Sequence, residues 1–114
     1  AHEMVRERLG VNVCDQRRTI SQQRREFPMV DFGGVELDED TLFDHGRRET
    51  EDQLGERAYK FMTWLSKMEE KTLAVVSHSC WLSTVFNRVL ECDDRLKSGF
   101  GTGEMRSVKL VFTD

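Results

Sequence analysis

A single proline in 114 residues, Pro28, leaves no room for a proline-rich linker or a polyproline ligand. Cysteine is almost as scarce. Cys14, Cys80 and Cys92 are odd in number and far apart, so they form neither a disulfide framework nor a zinc pattern. Their simplest setting is reducing, intracellular and cytoplasmic. No apolar run approaches the length of a membrane span, and the N-terminal stretch has no secretory signal pattern, so no membrane partner is expected. The formal net charge is −4, which argues against nonspecific nucleic-acid binding. Internal repeats and low-complexity segments are also lacking. What is present is a globular composition, one third charged, of a length that allows one domain at most.

The stretch Thr72 to Leu90 organises the chain. Leu73, Ala74, Val75 and Val76 form a continuous apolar run without alternation, which predicts a strand buried on both faces. Ser77-His78-Ser79 interrupts it. From Trp81 the apolar residues Leu82, Val85, Phe86, Val89 and Leu90 fall at helical spacing. Ser79 is the expected N-cap. His78 thus stands at the carboxyl end of the predicted strand, beside a helix N-terminus. That edge is where ligands bind in open α/β sheets, and free N–H groups there favour an anion.

Before this stretch, Ala1 to Leu9 reads as a helix closed by Gly10, with no N-cap in front of it. Val11 to Arg18 is an irregular connection. Ile20 to Phe27 fits a short helix capped by Thr19 or Ser21 and stopped by Pro28. From Pro28 to Arg48 no period is sustained, and Asp38, Glu39, Asp40 and Asp44 form an acidic cluster. Its spacing fits no calcium loop, so it reads as solvated surface or a helix-start signal. Thr50 to Lys67 is the clearest helix: Thr50 and Gln53 make a capping box, and Leu54, Ala58, Phe61, Met62, Leu65 and Met68 make one apolar stripe. Residues Glu91 to Gly103 form a polar connection, and Met105 to Thr113 a final strand.

These elements predict the α/β class. The expected architecture is a single partial domain over residues 1–114, the carboxyl part of a three-layer α/β/α domain with a mostly parallel sheet. Only two strands are legible, and a strand buried on both faces needs more neighbours than that. The abrupt start and the missing strands lead to the expectation of a fragment of a larger domain.

Val75-Val76-Ser77-His78-Ser79-Cys80-Trp81-Leu82 resembles the second-histidine motif of the histidine phosphatase (phosphoglycerate mutase-like) superfamily. Val5-Arg6-Glu7-Arg8-Leu9-Gly10 is similar to the family segment that carries a catalytic glutamate before a glycine. Cys14-Asp15-Gln16-Arg17-Arg18, Phe27-Pro28, Val30-Asp31-Phe32, Asp38-Glu39-Asp40-Thr41-Leu42 and Glu104-Met105-Arg106-Ser107 resemble the mutase-like phosphatases of plants and fungi. The resemblance implies phosphomonoester hydrolysis through a phosphohistidine, with hydrolysis favoured over mutase activity. It makes His78 the second histidine and Glu7 the proton donor. Ser79 and Cys80 join His78 at the phosphate. Arg17 and Arg18, with Arg24 and Arg25, read either as residues that steer a phosphorylated small molecule or phosphoprotein or as a solvated face. It implies no metal and no organic cofactor.

The chain departs from the family pattern in three places. It has no Arg-His-Gly, the motif of the family's nucleophile, and its other histidines, His2 and His45, do not supply one. The phosphate-binding arginine expected upstream of Glu7 is also missing. Cys80 stands where glycine is usual and Ser83 where a basic residue is common. Cys80 reads as a small core residue or as a thiol acidified by a helix N-terminus. On its own the chain is expected to be inactive. The alternative is a catalytically dead phosphate-binding or protein-interaction domain of the same fold.

Overall fold

A computed structural model describes residues 1–113. Three α-helices hold the core: α1 (Ile20–Glu26), α2 (Glu51–Leu65) and α3 (Ser79–Thr84). A π-helical turn, Val85–Val89, continues α3. Short 3-10 turns lie at Glu3–Val5, Val13–Asp15 and Asp94–Leu96.

The two helices with clear sequence signals form as expected. In α2, Thr50 accepts from the Gln53 N–H, and the Gln53 side chain accepts from the Thr50 N–H. Glu51 and Asp52 occupy the first turn, where the helix dipole favours acids. In α1, Thr19 and Gln22 make the same reciprocal pair, and Phe27 closes the helix before Pro28.

The apolar stripe of α2 faces α3. Leu54, Ala58, Phe61 and Met62 pack with Trp81, Val85 and Phe86 into one buried cluster. Phe61 meets Trp81 edge to face, with ring centroids 5.4 Å apart. Trp81 is only 1% exposed, and its indole N–H finds no acceptor among the described residues. Burial of this kind stabilises by about 2 kcal/mol per large side chain. Met4, Val5, Leu96, Phe100 and Leu110 cover the rim of the cluster.

The mostly parallel sheet is not there. Among the described residues no strand is assigned, so the α/β expectation is corrected to a helical core with extended arms. Residues 73–77 and 105–113 do run without helix or turn, but neither finds a ladder partner, and a strand is defined by that ladder. Val76 is 89% exposed, where a doubly covered strand would bury it, and Met105, at the start of the expected final strand, is 87% exposed. The radius of gyration is 14.9 Å, against about 13 Å for a compact domain of similar size, as arms standing off a small core would give.

The opening helix is also corrected. Only Glu3–Val5 turns, as 3-10, and residues 6–9 are irregular. Gly10 does adopt a positive φ, +95°. A Cβ there would meet the Arg47 carbonyl oxygen at 2.0 Å, so a close backbone approach fixes glycine at this position.

Candidate functional site

His78, not Ser79, is the N-cap of α3. Its backbone is extended, and its side chain makes no capping bond. The cap comes from Glu7 instead, more than seventy residues away in sequence. One oxygen of its carboxylate accepts from the Cys80 N–H at 3.1 Å. The other accepts from the Trp81 N–H at 3.0 Å and from the Arg8 N–H at 3.0 Å. An acid at a helix N-terminus is favoured by both the dipole and the free N–H groups. His78 and Cys80 are exposed, so the core reading of Cys80 gives way to a surface position.

The Glu7 segment has no helix or ladder to hold it, and side chains do that work. Arg57, from α2, donates through Nη1 to the carbonyls of Met4 at 2.9 Å and Arg6 at 2.8 Å. Its Nη2 donates to the Glu7 carbonyl at 3.1 Å. The Ser77 hydroxyl donates to the Val5 carbonyl. Four consecutive carbonyls, from residues 4 to 7, are thus taken by side chains. Glu49 completes the frame by binding Arg57 through both oxygens, at 2.9 and 2.8 Å. It also accepts from the Leu9 N–H at 3.0 Å. Burial alone would raise the Glu49 carboxyl, but the bonds from Arg57 and Leu9 outweigh it and lower it below its usual range.

Sequence reading missed Glu49 and Arg57. The available signal was their placement: Glu49 immediately precedes the capping box of α2, and Arg57 lies two helical turns further on.

Arg17 is committed elsewhere. It donates to the Glu3 carboxylate and to the carbonyls of Arg18, Leu37, Asp38 and Glu39, which uses all five of its N–H groups. Arg18 pairs with Glu26 on the surface. Neither has a hydrogen bond to Glu7, His78 or α3. The acidic run likewise resolves into single roles. Asp40 binds Arg6 through two parallel bonds, and Asp38 accepts from the N–H and hydroxyl of Ser21 in the first turn of α1. Among the described residues, no group of three or more metal-ligating side chains comes together.

The remaining histidines have local roles. His2 accepts the Met4 N–H through Nδ1 and packs against Phe61 and Trp64. Burial lowers its pKa, in keeping with an unprotonated acceptor. His45 meets Phe43 edge to face at 4.9 Å. It lines a cleft of about 890 Å³ with Phe43, Arg47, Gln53 and Lys60, which excludes Glu7 and His78. Among the described residues, no helix is long and apolar enough to cross a membrane.

Comparison with known proteins finds relatives along nearly the whole chain. It is 41% identical to Phosphoglycerate mutase-like protein 1 of Arabidopsis thaliana, over 96% of this chain and 40% of that protein. It is 39% identical to Phosphoglycerate mutase-like protein 2, over 90% of this chain and 31% of that one. A third Arabidopsis thaliana protein, Phosphoglycerate mutase-like protein, is 33% identical over 97% of this chain and 43% of its own length. The chain therefore spans less than half the length of each of these relatives. No family model matches it, and no solved structure does.

Proposed function

We propose, for a chain that belongs to the phosphoglycerate mutase-like proteins of the histidine phosphatase superfamily, a part in phosphomonoester hydrolysis through a phosphohistidine. His78 and Glu7 are the reacting groups it contributes. The nucleophile is none of His2, His45 or His78. In the first half-reaction a P–N bond forms on that nucleophile as the ester P–O bond breaks, and Glu7 gives its proton to the leaving alkoxide. In the second, water attacks phosphorus, the P–N bond breaks, and Glu7 takes the proton from water. His78, Ser79 and Cys80 border the phosphoryl group, where hydrogen-bond donors stabilise charge developing on its oxygens.

The observation that supports this reading is the meeting of Glu7 with the Cys80 and Trp81 N–H groups, next to His78. Two segments that the family resemblance assigns to one site are neighbours across more than seventy residues. A second reading, a catalytically dead domain that binds phosphate or a protein, is favoured by a different fact. The chain contains no Arg-His-Gly.

Turnover of a generic phosphomonoester separates the two. The pure 114-residue chain is expected to hydrolyse none. The natural protein, isolated from its source, is expected to have an intact mass above 13.3 kDa, to contain Arg-His-Gly and to be active. In it, His78→Ala should lower turnover by at least ~10²-fold, the scale of losing one charge-stabilising donor. A natural protein that binds phosphate without hydrolysing any ester would establish the second reading instead. Hydrolysis by the 114-residue chain itself, abolished in His78→Ala, would overturn the claim that the nucleophile lies elsewhere.

A further inference from the structure

We infer that Arg57 is the positioning residue for Glu7. This deepens the reading of Glu7 as proton donor and takes its functional meaning from it. Glu7 sits on an irregular segment, where the only local backbone contact to its carboxylate is the adjacent Arg8 N–H. Arg57 supplies the missing frame. Its five N–H donors are all used, three on the carbonyls of Met4, Arg6 and Glu7 and two on the carboxylate of Glu49. The side chains of Arg57 and Glu49 are only 12% and 10% exposed, so the guanidinium is both screened from water and neutralised.

The arrangement transmits position in one direction. Glu49 flanks the start of α2 and orients the guanidinium through a two-bond fork. The rigid planar fork then fixes three carbonyls of the 4–7 segment relative to α2. Because α2 packs on α3 through Phe61 and Trp81, that segment is also fixed relative to the first turn of α3. The Glu7 carboxylate arrives at the Cys80 and Trp81 N–H groups as the consequence. Lysine cannot substitute: an ammonium has three donors on a flexible stem, against the five that are used here in one plane.

The test reads the Glu7 contacts directly in this chain, with no need for turnover. Backbone amide spectra are recorded for the unaltered chain, Glu7→Gln, Arg57→Lys and Glu49→Gln. Glu7→Gln defines how the Cys80 and Trp81 amides look without the carboxylate. Arg57→Lys is expected to reproduce those shifts. It is also expected to speed hydrogen exchange at Cys80 and Trp81 by at least ~10-fold while leaving the α2 amides of Leu54 and Ala58 unchanged, as local opening without global unfolding requires. If Arg57→Lys does not fold, Glu49→Gln carries the same test with the same expected signature. Unaltered Cys80 and Trp81 amides overturn the inference. So does exchange that accelerates equally throughout α2 and α3, since Arg57 would then be a general stabiliser. Phosphatase activity is measured separately, so a failed clamp and a failed enzymatic reading give different results.

Discussion

The Glu7 carboxylate bridges the N–H groups of Cys80 and Trp81, one oxygen to each, and caps a helix that its own N-cap residue leaves uncapped. Trp81 is therefore fixed at both ends. Its N–H is tied to Glu7, and its ring is buried against Phe61 in the core.

The first prediction follows from that cap. Glu7→Ala frees two first-turn donors of α3. It is expected to cost about 1 kcal/mol of stability, the usual value of a lost N-cap. Denaturant unfolding measures the cost, and amide exchange should localise it to Cys80 and Trp81. A loss confined to other regions would mean that Glu7 does not cap α3.

Acid sensitivity should arise from Asp40. Burial alone would raise this carboxyl, but the paired bonds from Arg6 and the Arg17 N–H hold it at about 2, below the ordinary value of 3.8. A carboxyl with a lowered folded-state pKa binds its proton more readily when the chain is unfolded. Its contribution is complete above about pH 4 and is lost as the pH falls toward 2. The difference corresponds to about 2 kcal/mol. Stability measured at pH 5 and pH 2.5 should therefore fall by more in the unaltered chain than in Asp40→Asn. An equal fall in both would remove Asp40 as a source of the acid sensitivity.

Arg17 gives a prediction that separates support from binding. Its five donors are spent on Glu3 and on the carbonyls of residue 18 and residues 37–39. Arg17→Ala removes one of the two arginine partners of the half-buried Glu3 and returns four exposed carbonyls to water, and it is expected to destabilise by about 1 kcal/mol. Inorganic phosphate affinity, measured by calorimetry under conditions where the variant is folded, should not change. A weakened phosphate affinity with unchanged stability would restore Arg17 as a ligand residue.

Much of this chain was legible where one local rule was enough. Thr50 with Gln53 is a reciprocal cap within four residues, so the start of α2 could be read directly, whereas for α1 the sequence left Thr19 and Ser21 open and the structure gives the cap to Thr19, paired with Gln22. The apolar stripe of α2 was equally plain, because helical spacing alone puts Leu54, Ala58 and Phe61 on one face. The run Leu73–Val76 misled. An apolar tetrapeptide reports a preference for burial, but a strand also needs a partner at hydrogen-bonding distance. None is present among the described residues, so the run remains extended and largely exposed.

The candidate site divides in the same way. Glu7 and His78 were named as candidates through the family resemblance, and Cys80 also through its departure from a pattern; the structure brings Glu7 to the first turn of α3. Glu49 and Arg57 were not found, because nothing near them in sequence shows that one guanidinium will serve three carbonyls from residues 4–7. Arg17 was read as a ligand-steering cation because its charge is visible in the sequence and its partners are not.

The sequence by itself determined the start of α2, the apolar face of α2, the absence of an Arg-His-Gly motif and the family resemblance that the relatives bear out. These depend on residue identity and on short-range spacing. Tertiary structure alone decided that Glu7 caps α3, that Arg57 holds Glu7 in place and that Arg17 is fully occupied. Each of those depends on contacts within about 3 Å between groups from 14 to 74 residues apart, and backbone carbonyls, which every residue carries, leave no mark in the sequence to show which side chain will reach them.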